Sequence, residues 1–172
     1  RQMCIRDSPI FVNEIILKHA AEEARHAYYL KKQIQKISPG ACPTYEQQYL
    51  LAPAFSYYYL DVLDVKVCKY LKAKFGYAND KLKYAAYLLV TYAIEARADE
   101  LYPIYQSVLT AANNSVNVKS IIAEEENHLL EMRAQLRTFS PAWEQMCVDV
   151  CAMEKELFMD WYNELGKEIL NN

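Results

Sequence analysis

The sequence is short of the residues that break a chain into turns. Among 172 residues there are three glycines (Gly40, Gly76, Gly166) and six prolines. Glycine and proline punctuate turns, so their scarcity excludes a many-turned β protein and favours long helices. An excess of charge of one sign is also missing: 19 Lys and Arg against 22 Asp and Glu leave a net charge of −3, which gives no global attraction to nucleic acid. No apolar run is long enough for a bilayer. The longest, Ala85 to Ile94, is interrupted by Thr91 and falls far below the roughly 20 residues of a spanning helix. With no secretory signal either, the chain is expected in the cytoplasm, without a membrane partner. Five cysteines make an odd number without zinc-site spacing. Cys147 and Cys151, four apart on one helical face, read as reduced core thiols of a cytosolic protein. Histidine is scarcer still, with only His19, His26 and His128.

What is present is apolar scaffold. Hydrophobic residues make up 53% of the chain, ample for one domain of this length. The fifteen tyrosines supply apolar area with a polar tip. Periodicity and breaker residues predict an all-α domain over 9–172, with helices near 9–37, 44–75, 80–112, 118–138 and 141–170. Ser8-Pro9 reads as N-cap and first helical residue, and Ser38-Pro39-Gly40 as the stop of helix one. A bend or restart is expected near Pro53, and Pro103 is expected to kink or end helix three. Arg1 to Ser8 fits neither a targeting peptide nor a helix and reads as foreign sequence. Lys31, Lys32, Lys36, Arg133 and Arg137 read as solvated faces.

Two of the three histidines follow a glutamate by three residues, in Glu23-x-x-His26 and Glu125-x-x-His128. On a helix, positions i and i+3 share a face, so each pair aims a carboxylate and an imidazole at one place. Two such pairs plus glutamates from other helices make a di-iron or di-manganese carboxylate site in helical bundles. Glu95 falls within the apolar face of helix three, where an unpaired carboxylate is costly, and is the candidate further ligand. His19 is four residues before Glu23 on the same side, either behind the ligands or merely packed. Asp99, one turn beyond Glu95, could hold a ligand histidine's second nitrogen or be a surface charge. Of the triplet Glu124-Glu125-Glu126, only Glu125 has the i, i+3 relation to His128. Glu124 and Glu126 are expected to face solvent. Helices two and five carry no ligand candidate and read as a crossover helix and an extra C-terminal helix.

This order of residues resembles the ferritin-like di-iron carboxylate superfamily, whose pattern is Glu, ExxH, Glu, ExxH on successive helices. Ile94-Glu-Ala-Arg-Ala-Asp-Glu100 also resembles a segment of the MiaE-type tRNA-modifying di-iron hydroxylases. The resemblance covers helices one, three and four. It implies a ferritin-like four-helix bundle holding two iron ions, with manganese able to take the same ligands. Glu23 and Glu125 would bridge the ions, with His26, His128 and Glu95 as terminal ligands. It further implies an O2-dependent hydroxylase or oxidase, an electron-donor protein as partner, and a small-molecule or tRNA substrate. A ferroxidase or iron-storage protein is the second reading, and a non-enzymatic helical interaction domain the third. The chain departs from the pattern in one respect: no helix with a glutamate precedes the first ExxH. The first bundle helix is therefore expected to be missing, leaving the His26 ion short of a carboxylate and an apolar side exposed.

Overall fold

A computed structural model describes residues 14–171, and these are all-α. The helices are α1 (Glu14–Ile37), α2 (Pro53–Phe75), α3 (Asn79–Ala111), α4 (Lys119–Phe139) and α5 (Trp143–Leu170). No strand occurs among the described residues, and no helix is long and apolar enough to cross a membrane. The expected start of helix one at Ser8-Pro9 and the reading of residues 1–8 lie outside the described residues.

The ends follow local chemistry. α1 carries Glu14 in its first turn and Lys36 in its last, complementing the helix dipole. It ends before Gly40, whose φ of 82° suits glycine. α2 closes on Gly76 at φ 63°, whose N–H bonds to the Lys72 carbonyl. The helix expected from residue 44 begins only at Pro53. Ahead of it lie non-helical chain and a single 3-10 turn at Gln47–Tyr49. The reason is steric: a proline disfavours helical geometry in the residue before it. Ala52 is left-handed at φ 44°, and Pro53 takes the first helical position. Pro103 ends nothing, since α3 runs through it to Ala111. The carbonyl left without a donor belongs to Asp99, and both residues are on the exposed side, where water can serve it.

The core is shared by α2, α3, α4 and α5. α3 is central and buried all round from Ala85 to Ala93. Around it pack Leu63, Val67 and Leu71 of α2, Met132 and Leu136 of α4, and Met146 and Val150 of α5. α2 and α5, read from the sequence as crossover and extra helices, thus belong to the central bundle. A buried ion pair ties three of the helices together. Arg97 of α3 donates to both oxygens of Glu154 of α5 at 3.0 and 2.7 Å, and the Tyr59 hydroxyl of α2 donates to the same carboxylate. Removing one partner leaves a buried charge alone. Arg97→Ala is therefore expected to cost about 3–5 kcal/mol, read from urea unfolding.

α1 is attached differently. Among the described residues it contributes only Ile16 to the core, and it reaches the bundle through long polar side chains. Lys18 pairs with Glu131 at 2.9 Å, Arg25 forks onto Glu124 at 3.1 and 2.7 Å, and the Tyr29 hydroxyl donates to the Asn117 carbonyl. These partners descend along the chain as α1 ascends, so α1 runs antiparallel to α4. Leu17 and Tyr28 on the outer side of α1 are exposed, as are Ile34 and Ile37 toward its end.

Candidate metal centre

Three helices carry acidic and imidazole side chains to one place. The inner stripe of α1 is Ile16, His19, Glu23 and His26, at three- and four-residue steps that keep one face. Glu95 of α3 and Glu125 and His128 of α4 meet it. His19, His26, Glu95, Glu125 and His128 are all buried. All three histidines of the chain converge.

The centre of the cluster is Glu23 Oε1. It lies 3.7 Å from His19 Nε2, 3.8 Å from His26 Nδ1 and 3.8 Å from His128 Nδ1. The side chain is 41% exposed, yet Oε1 itself is buried and has no hydrogen-bond partner; His26 Nδ1 is buried and unpartnered too. Glu125 stretches between two imidazoles, with Oε1 3.1 Å from His26 Nδ1 and Oε2 3.2 Å from His128 Nδ1. Glu95 Oε1 is 2.7 Å from His19 Nε2, and its Oε2 is 4.0 Å from His128 Nδ1.

The far nitrogens of two imidazoles are held by carboxylates that spacing within one helix does not reveal. His128 Nε2–H donates to Glu22 at 2.9 Å, and His26 Nε2–H donates to Glu124 at 2.8 Å. The arrangement is reciprocal. Both helices carry Ala-Glu-Glu-x-x-His (21–26 and 123–128). The second Glu of each motif faces the centre, while the first crosses to the other helix's histidine. Donating Nε2–H outward leaves Nδ1 free to face inward, the tautomer a metal ligand needs.

The electrostatics are those of a site short of positive charge. Burial, then the Glu125 and Glu23 carboxylates, push Glu95 well above the usual carboxylate range. Burial also raises Glu23. For Glu125 burial acts upward, but His128, His26 and Glu95 beside it outweigh that and hold the carboxyl far below the usual range. The Glu125 carboxylate lifts His26 to about 9, against burial and with help from Glu124. His128 is also raised: burial lowers it, but Glu125 and Glu22 outweigh that. Burial and the charge on His128 push His19 down to about 4, leaving it neutral. A folded-state value raised above the unfolded one stabilises below the unfolded pKa and stops doing so above the folded one. The metal-free protein is therefore expected to lose stability as pH rises from 6.5 through about 9 for His26, with raised Glu95 acting in the same direction. The check is a urea midpoint that falls across this window in the metal-free protein.

The donors fit a pair of divalent cations. Two atoms each about 2.0–2.2 Å from one ion stand roughly 3.0–4.2 Å apart, and the distances around Glu23 Oε1 lie in that span. His19, Glu23, Glu95 and His128 form one set able to hold an ion, and Glu23, His26 and Glu125 a second. Carboxylate oxygen with imidazole nitrogen suits a range of divalent metals.

The structure therefore brings Glu23, His26, Glu95, Glu125 and His128 together, and His19 with them. Asp99 does not join: it is exposed, and the imidazoles find glutamates instead. Glu126 is exposed as expected. Glu124 is not simply solvated; His26 and Arg25 hold it. Among the described residues, no cysteine joins the cluster. Cys147 and Cys151 are free thiols, raised by burial, lining an apolar cleft with Tyr92, Trp143 and Arg133. Compared with protein-family models, curated proteins and solved structures, the chain matches none.

Proposed function

We propose that this chain is a ferritin-like di-iron carboxylate protein that uses O2 as an oxidoreductase, a hydroxylase or oxidase. The observation that carries the proposal is the placement of Glu23 Oε1, buried, without a hydrogen bond, and 3.7–3.8 Å from one nitrogen of each of three imidazoles. That spacing is too long for hydrogen bonds and suits an oxygen shared between two ions. Two iron ions sharing carboxylates can pass two electrons to O2, which no side chain does alone. The protein's part is to hold Nδ1 of His26 and His128 inward through Glu124 and Glu22. Five carboxylates around the site (Glu22, Glu23, Glu95, Glu124, Glu125) offset the cations' charge. Electrons for repeated turnover would come from a donor protein. A tRNA substrate rests only on the likeness of Ile94–Glu100, whose charged residues divide: Glu95 joins the cluster, while Arg97 pairs with Glu154.

A second reading, iron oxidation for storage, draws on the partly exposed carboxylates of Glu22, Glu23 and Glu124. They form an acidic path from solvent to the buried donors. One experiment bears on both. Metal-free protein under argon is loaded with Fe(II), freed of excess and mixed with O2. About two irons per chain are expected, with O2 consumed as they oxidise. A reductant that restores Fe(II) and sustains O2 uptake favours the oxidoreductase; a single round of oxidation with further iron retained favours storage. Absence of bound iron would leave a helical interaction domain as the better account.

A further inference from the structure

The pattern of two ExxH pairs supplies two imidazoles, yet the cluster contains three. We propose that His19 is itself a metal ligand and that the two cation positions are therefore unequal. One position takes His19, His128, Glu95 and Glu23, the other takes His26, Glu125 and Glu23, and the second oxygen of Glu125, 3.2 Å from His128 Nδ1, reaches the first position too. This rests on the di-metal reading above and deepens it.

The geometry separates His19 from a residue that merely supports a ligand. A supporting residue bonds the outer nitrogen of an imidazole or the outer oxygen of a carboxylate, as Glu22 and Glu124 do. His19 is instead in the inner ring of donors. Its Nε2 is 2.7 Å from Glu95 Oε1 and 3.7 Å from Glu23 Oε1, the atom on which His26 and His128 also converge. Its ring meets that of His128 edge-on with centroids 4.6 Å apart, whereas the His26 and His128 rings are 6.1 Å apart. One ligand atom each from His19, Glu23, Glu95 and His128 lie mutually within 4.8 Å, and the same holds for Glu23, His26 and Glu125. Glu23 belongs to both sets, His19 to the first only. The unpartnered Nδ1 of His26, on a side chain 7% exposed, marks the second set as a position with an unused donor rather than a closed hydrogen-bond network.

A position with two imidazoles is more nitrogen-weighted than one with a single imidazole. Ions that favour imidazole, such as Co2+, prefer the first; harder ions such as Mn2+ distinguish the two less. The pair should therefore fill in order. His19 supplies the asymmetry.

The test is a Co2+ titration of the metal-free protein, followed by visible absorption and calorimetry. Wild type is expected to take two equivalents in two steps, the first about ten- to a hundredfold tighter. His19→Ala is expected to lose the tight step and its absorption bands, and His26→Ala to keep the tight step and lose the weak one. His19→Asn, which keeps a polar group in place, guards against misfolding of the alanine variant, with far-UV circular dichroism as the check. It too should lose the tight step. Two equal steps in wild type, or an unchanged tight step in folded His19→Ala or His19→Asn, overturns the role of His19 while leaving a di-metal site standing. No cobalt uptake by wild type overturns the di-metal reading itself.

Discussion

Replacing Glu125 by Ala is expected to abolish uptake of both cations, from about two per chain to none. Glu125 is the carboxylate that spans the cluster, with one oxygen 3.1 Å from His26 Nδ1 and the other 3.2 Å from His128 Nδ1. No neighbour can take its place. Glu124 is turned outward to His26 Nε2 and Arg25, and Glu126 is exposed. Removing Glu125 also takes away a charge that raises both buried imidazoles, so they would lose protons more readily. Glu125→Gln keeps the volume and removes the charge. If Gln binds the pair as wild type does, the side chain is filling space rather than bridging. Metal analysis after gel filtration, with circular dichroism to confirm folding, reads the result.

The second large effect is expected one residue earlier in each motif. Glu22→Gln and Glu124→Gln should each weaken cation binding about ten- to a hundredfold, the usual effect of removing a carboxylate that orients a ligand histidine. Glu126→Gln, one residue from Glu125 but exposed, should change it less than about twofold. Each outer glutamate fixes the Nε2–H of the opposite helix's histidine and so keeps Nδ1 inward. Glu22 and Glu124 also join α1 to α4, and α1 has little apolar packing of its own. The same variants should therefore free α1 in the metal-free protein, seen as faster amide exchange in α1 than in α3. Equal affinity losses for Glu124→Gln and Glu126→Gln would indicate a diffuse acidic patch instead of two oriented histidines.

The difference between Glu124 and Glu126 shows how far the sequence could be read. Spacing within one helix placed Glu125 with His128 and Glu23 with His26, because three residues on a helix return to the same face. It could not place Glu22 on His128 or Glu124 on His26, since those contacts depend on α1 lying antiparallel to α4. The doubled Glu-Glu-x-x-His was the available signal. Glu95 was legible because a carboxylate inside an apolar stretch needs a partner, and it found His19 rather than an arginine. Spacing left Asp99 open between a histidine's partner and a surface charge; it is exposed, and glutamates occupy those nitrogens. Helix ends were legible where glycine provides a left-handed stop, as at Gly40 and Gly76. They were less so at proline, whose effect depends on surroundings. Pro53 starts a helix after a left-handed Ala52, whereas Pro103 is accommodated on an exposed side of α3. The roles of α2 and α5 in the core followed from packing around α3, which ligand spacing does not report.

The central claim is that two cations share carboxylates in one cluster. It is tested most directly by electron paramagnetic resonance during a Mn2+ titration of the metal-free protein. The account predicts uptake of about two ions per chain, with the six-line spectrum of isolated Mn2+ giving way to the broad, temperature-dependent signal of an exchange-coupled pair as the second equivalent is added. Glu125→Ala should leave the free-ion spectrum throughout. A wild-type protein that binds a single isolated ion, or that leaves the spectrum of free Mn2+ unchanged, would contradict it.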